Sequence, residues 1–313
     1  MSKINLDIKD YIHKLSQQGL TVKFCHGFKP LKQRGQTCKL VGGAAVQHYL
    51  VHVGRHSSVS LPLYKNRLYS ESLRQRAKQV INSQAGEVYG PEQVAKVFNY
   101  NDFKTTSYYI SEQQHYKNLI LAALNQEQPV LVYFDVNPRK KKATLGEPSK
   151  VNGEFEHCAV ITGYYQQNDQ LRLIAAQWGE LFDISFAALF ASTSQLKSVK
   201  EPEHYQKYYP IPGFFKQKTW LEKEQMNLAI KHMATGKPWL EKILVWLNHF
   251  WPKNKEERVS SPPKGNQACL ANVLTIIQGN LKEVNLSDFS DFEIHSSNSS
   301  QLEEINDNSL TIS

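Results

Sequence analysis

Cysteine is scarce and unpatterned in this chain. Its four thiols, Cys25, Cys38, Cys158 and Cys269, are spread over 313 residues. That spacing excludes a CxxC metal or redox motif and a disulfide framework, and it points to a reducing compartment. Long apolar runs are missing as well: no stretch approaches the ~20 residues of a membrane span, so no transmembrane segment is expected. The first residues, Met1-Ser2-Lys3-Ile4-Asn5-Leu6-Asp7, are polar, and no secretory signal is expected. No finger, RRM or helix-turn-helix signature accompanies the formal charge of +8. The charge favours acidic partners in general, and nucleic acid is not expected among them. His232, His249 and His295 each stand alone, with no second ligand at metal spacing, so neither a metal nor another cofactor is expected. There is no internal repeat.

What is present is an ordinary globular composition, 41% hydrophobic and 21% charged, long enough for one large domain or two smaller ones. Through Leu124 the apolar spacing is mostly helical. A short helix is predicted within residues 1 to 20, a second from Cys38, a third from Ser70 and a fourth over Pro91–Phe98 with its proline in the first turn. Ser107–Ile110 reads as a short strand, and Tyr116–Leu124 as another helix. The period then changes to that of strands at Pro129–Val136, His157–Tyr165 and Gln170–Gln177, with Gln166–Asp169 as a turn, then at Phe182–Ile184 before a helix at Phe186–Phe190. Helices first and an antiparallel meander second predict an α+β fold. Residues 137–155 form a long connection, of a length that tends to be functional inside a compact domain. A main domain over 1–214, a helical C-terminal module over 215–295 and a disordered tail over 296–313 are expected.

Two residues far apart in sequence stand out chemically. Cys38 opens a segment, Cys38–Val51, that is apolar or small nearly all round, which suits a buried helix. Gly42 and Gly43 weaken such a helix by roughly 1 kcal/mol each relative to alanine, which argues for close backbone approach there. A free thiol titrates near pH 8.5, and a helix N-terminus or a nearby imidazolium lowers that value and makes a nucleophile. His157 heads the strand Glu156-His157-Cys158-Ala159-Val160-Ile161-Thr162-Gly163-Tyr164, where it could serve as the base.

The order of these elements resembles the papain-like cysteine peptidase superfamily. It runs from Gln33 upstream of Cys38, through a helical half, to a His157-x-x-Val-x-x-Gly-Tyr strand and a following strand that ends in Trp178-Gly179. The branch that looks closest is the compact bacterial one similar to bacteriocin-leader and double-glycine peptidases. The resemblance spans about residues 25–200. It implies a papain-like α+β fold in which Cys38 is the nucleophile and His157 the general base, and in which the Gln33 amide joins the Cys38 backbone N–H in an oxyanion hole. Gln36 is the second choice for that amide, since it lies closer to Cys38 than the superfamily's spacing. An Asn or Asp normally orients the histidine from near the Trp-Gly, but this chain has Gln177 there. Gln177, Asp135 and Asp183 are the candidates for that role.

The implied activity is hydrolysis of a peptide or isopeptide bond through a Cys38 thioester. Deamidation, transglutamination or acyl transfer by the same dyad is the alternative, and a non-catalytic papain-like binding module is another. The expected partner is a protein or peptide. Arg139-Lys140-Lys141-Lys142 could attract an acidic or phosphate-bearing group, though such a run more often is a solvated loop. Trp239–Trp251, aromatic and flanked by lysines, is compatible with peripheral membrane contact, although a core helix suits it better. The polar tail resembles the C-terminal translocation signals of effectors from intracellular bacteria such as Legionella. That likeness implies a bacterial cytoplasmic origin and delivery into a host cell.

Overall fold

A change of period from helix to strand runs through the computed structural model, which describes residues 2–32, 38–57, 66–81, 83, 86–136, 146–150, 153, 155–197, 199–200 and 267–281. In chain order the elements are β1 (Ser2–Lys3), α1 (Ile8–Gln17), β2 (Val22–Phe24), α2 (Cys38–His52), α3 (Asn66–Val80), α4 (Pro91–Phe98), β3 (Lys104–Tyr109) and α5 (Gln113–Asn125). There follow β4 (Val130–Asp135), β5 (Glu156–Gln167), β6 (Gln170–Gln177), β7 (Glu180–Ser185), α6 (Phe186–Thr193), β8 (Val199–Lys200), β9 (Gln267–Ala268) and β10 (Val273–Gln278). Gln33, Gln36, the basic run 139–142, the aromatic segment 239–251, His232, His249, His295 and the tail 296–313 lie outside the described residues.

Local chemistry accounts for several boundaries. Asp7 caps α1 by accepting from the Lys9 amide. Pro91 occupies the first turn of α4, where its missing N–H costs nothing. Two of the meander's turns are two-residue hairpins with positive φ at both positions: Asn168-Asp169 (48° and 58°) and Trp178-Gly179 (53° and 80°). That geometry matches the twist of the flanking strands. The first turn is tighter than the four residues expected, because Gln166 and Gln167 still pair with β6.

The main sheet has eight antiparallel strands in the order β1-β7-β6-β5-β4-β10-β3, with β2 pairing the far half of β5. Among the described residues six helices accompany this sheet, so the fold is α+β. The order also corrects one expectation. Residues 273–278 belong to the predicted helical module, yet they form β10, a strand between β4 and β3. Val-Leu-Thr-Ile-Ile is rich in β-branched side chains, and its polar Thr275 is satisfied by the Tyr133 and Ser107 hydroxyls at 2.9 and 2.8 Å. Strand β10 of that module is therefore integral to the main sheet, while β9 pairs β8 in a separate two-stranded sheet.

Helix α2 lies on the sheet with its small residues inward. A Cβ at Gly42 would touch Val160, Cys158 and Leu131 at 3.4–3.5 Å, and one at Gly43 would overlap the Phe98 ring of α4. The two glycines do serve close approach. Among the described residues, no helix is long and apolar enough to cross a membrane.

Candidate active site

Strand β5 carries the site, and its hydrogen-bond pattern decides which way each group points. The Val136 amide donates to Phe155 O at 2.9 Å, which makes Asp135 and Glu156 a non-hydrogen-bonded pair. One residue on, Phe134 and His157 form a hydrogen-bonded pair, and the next, Tyr133 and Cys158, does not. The Cys158 N–H therefore points away from β4. The Cys38 thiol, at the start of α2, lies beside Cys158. Because the Cys158 amide is the one joined to His157, the thiol lies one peptide from the histidine.

Side chains alternate along the strand. Glu156, Cys158 and Val160 face α2, whereas His157 projects the other way, among Phe134, Trp178 and Gln177. His157 Nε2 is 2.7 Å from Gln177 Oε1. The Gln177 amide is oriented by its own donor, since Nε2 reaches the Gly146 carbonyl at 3.4 Å, so the oxygen faces the ring. His157 then donates from Nε2, and its Nδ1 is left as the acceptor. The indole of Trp178 lies 5.0 Å from the imidazole, and the Phe134 ring meets it edge-on at 5.5 Å. Trp178 holds φ at 53°, unusual for a bulky residue, and the strain is tolerated where the hairpin turn and the packing on His157 both demand it. Gly146, at φ +83°, leaves room for that indole.

Among the sequence-predicted residues, the structure brings Cys38, His157 and Gln177 together at one end of β5 and β6. A small cavity beside them is lined by Pro30, Leu31, Cys38, Cys158, Gln177 and Trp178 among others. Asp135 is elsewhere: fully buried, its carboxylate accepts from the Phe155 amide and from Gln195, at 3.0 and 3.1 Å, and so holds the connection into β5. Asp183 binds the Tyr165 hydroxyl and Arg172 on β5 and β6, away from His157.

The charge state differs from the expectation of an activated thiol. Burial pushes the Cys38 thiol up to about 12; Lys39 and the Cys158 amide work against this, and Glu87 and Glu156 add to it. Burial also drives His157 down to about 4, although its bond to Gln177 pulls the other way. At neutral pH the pair is an uncharged thiol and an uncharged imidazole, because desolvation outweighs the helix N-terminus. Cys38 keeps some solvent exposure. The described hydrogen bonds include none between its sulfur and the His157 ring.

Sequence reasoning missed a buried ion pair beside Cys38 and His157. Lys39 Nζ lies 2.6 Å from Glu156 Oε1, and both side chains are 1% exposed. Lys39 also sits 4.9 Å from the Tyr89 ring centroid. A second buried carboxylate, Glu87, is raised to about 7, chiefly by burial, with Lys39 opposing. Burial acts against the Lys39 charge too, but Glu156 and Glu87 outweigh it and hold Lys39 protonated. The available signal was a lysine inside an apolar helix and a glutamate at the head of an apolar strand, each of which needs a partner once buried.

No known family model matches this chain, and no curated protein matches it in sequence. Among the described residues, no group of three or more His, Cys, Asp or Glu side chains could hold a metal ion.

Proposed function

We propose that this chain is a papain-like cysteine hydrolase acting on a peptide or isopeptide bond, with Cys38 as nucleophile, His157 as base and Gln177 as the residue that orients the base. The observation that carries this reading is the 2.7 Å contact of His157 Nε2 with Gln177 Oε1. It commits the Nε2 proton to the amide and leaves the Nδ1 lone pair to take a proton from a thiol. Gln177 stands in the orienting position by a carbonyl oxygen in place of a carboxylate.

The neutral resting pair sets the order of events. The Cys38 sulfur attacks the substrate carbonyl while its proton passes to His157 Nδ1, so the thiolate is never free. A rotation of the Cys38 side chain from the Cys158 amide toward the ring makes the contact; catalytic hydrogen bonds are often long before substrate binds. The tetrahedral oxyanion is met by the Cys38 backbone N–H, and the resemblance to papain-like peptidases assigns the second donor to the Gln33 amide. Collapse breaks the C–N bond, and the His157 proton leaves with the amine. Water then attacks the thioester, gives its proton to His157, and the acid departs as Cys38 recovers its own. We place the substrate among proteins or peptides, in a host cell after translocation.

The test is mass analysis of peptide mixtures incubated with the protein. A backbone cut that disappears in Cys38→Ala supports hydrolysis; a gain of about one dalton or a cross-link would assign the same thioester to deamidation or transfer. A second reading, a papain-like module that binds without turnover, is favoured by the thiol's elevation to about 12. It predicts binding partners that Cys38→Ala retains and no product of any kind.

A further inference from the structure

Neither of the two elements that meet at the site carries the pattern that usually sets its position. Strand β5 opens with eight consecutive buried residues, Glu156 to Gly163, and β4 is buried at all six positions. The Asn168-Asp169 turn fixes the far half of β5 against β6, but the register shifts between Ile161 and Gly163; the half before that shift, buried on both faces, has no alternation to define it, and a slip of one residue there would turn its side chains to the other face. Helix α2 is buried continuously from Lys39 to Gln47. Without a polar stripe, rotation by one residue, about 100°, meets little opposition from hydrophobicity alone.

Polar groups break this ambiguity. Gln47 donates to the Phe98 carbonyl at 2.9 Å and ties α2 to α4. The bond from helix to strand is Lys39–Glu156 at 2.6 Å. Its members are the residue after Cys38 and the residue before His157. A slip of β5 or a turn of α2 that parts them leaves two charges unpaired in a space closed to water, which is strongly unfavourable. In the observed register Glu156 faces α2, so His157 must point to Gln177 and the Cys158 N–H must point away from β4, with Cys38 beside it.

We propose that Lys39 and Glu156 are positioning residues: a buried ion pair that sets the rotation of α2 and the register of β5, and so delivers the Cys38 thiol to the peptide that follows His157. The pair also meets the other charges packed around it. Glu87 and Arg74, from the segment before α4 and from α3, interact with each other, and Glu87 with Lys39 and Glu156. The catalytic consequence rests on the assignment of Cys38 and His157 as nucleophile and base, whereas the geometric consequence does not.

Two readouts separate these. Amide hydrogen exchange at Cys158, whose N–H points away from β4, reports the seating of Cys38 beside it whatever the chemistry. Acylation of Cys38 by p-nitrophenyl acetate reports the dyad. The variant is K39M/E156L, since an apolar replacement of a buried ion pair is usually neutral or stabilising. It is expected to melt at or above the wild-type temperature, to exchange the Cys158 amide at least ten times faster while the β5–β6 amides keep their protection, and to acylate at least ten times more slowly. Wild-type protection of the Cys158 amide in this folded variant overturns the proposal. Should the variant not fold, K39M/E156Q, which keeps a polar group at 156, is read in the same way. Loss of Cys158 protection with no acylation even in the wild type would uphold the positioning role and refute the enzymatic reading.

Discussion

Replacing Glu87 by glutamine should change how stability depends on pH. Glu87 is 3% exposed and its carboxyl is raised to about 7 from an ordinary value of 4.5. The folded state thus holds a proton that the unfolded chain releases, so the stabilisation is complete below pH 4.5 and is lost as pH rises through 7. Between pH 5 and 8 the loss amounts to about 2.5 kcal/mol at 1.36 kcal/mol per pH unit. His157, 6% exposed and lowered to about 4 from 6.5, acts with the opposite sign. Its unfolded form binds the extra proton, so its contribution is present above pH 6.5 and is lost as pH falls toward 4, about 2 kcal/mol over the same span. These two contributions nearly cancel over that span. Glu87→Gln removes the first, so relative to the wild type its stability should rise by about 2.5 kcal/mol from pH 5 to 8. Urea unfolding at pH 5, 6.5 and 8 measures this directly. A Glu87→Gln profile parallel to that of the wild type would refute the assignment of Glu87 as a protonated buried acid.

Three further perturbations follow from named contacts. Gln177→Leu removes the acceptor that supports the His157 cation, so the imidazole should titrate lower still; NMR titration of the ring checks it, and an unchanged value contradicts the 2.7 Å bond. Gly43→Ala should cost about 1–3 kcal/mol by overpacking, and Phe98→Leu in the same chain should recover part of this, because the added methyl meets the Phe98 ring. Asp135→Ala should cost about 1–3 kcal/mol in urea unfolding by stranding the Phe155 amide, yet leave the His157 titration where it was, since its carboxylate serves Phe155 and Gln195.

The meander was legible because each of its strands pairs with the next one along the chain, so period and turn residues suffice. Strand β10 was not: its β-branched run suits a strand, but its partners β3 and β4 lie more than a hundred residues earlier, and nothing local says which strands it joins. Gln177 could be picked out because it precedes Trp178-Gly179, but that Asp135 serves the connection into β5 depends on the partners of its carboxylate. Lys39 and Glu156 were visible as charges in apolar surroundings. Their pairing depends on the meeting of α2 with β5, which only tertiary structure supplies. The thiol's state is hidden for a related reason: a helix N-terminus can be read from sequence, whereas the desolvation that opposes it is set by packing.

The claim that Cys38 and His157 act together is tested most directly by acylation of Cys38 with p-nitrophenyl acetate, followed by intact mass across pH. The account predicts a single acetyl group on Cys38, at a rate that falls only as pH drops toward 4, where His157 becomes protonated. It further predicts that His157→Gln lowers the plateau rate at least tenfold, within the range expected for loss of a general base. Acylation at equal rates in the wild type and in His157→Gln, or a rate that climbs without a plateau toward the thiol's own value near 12, would contradict it.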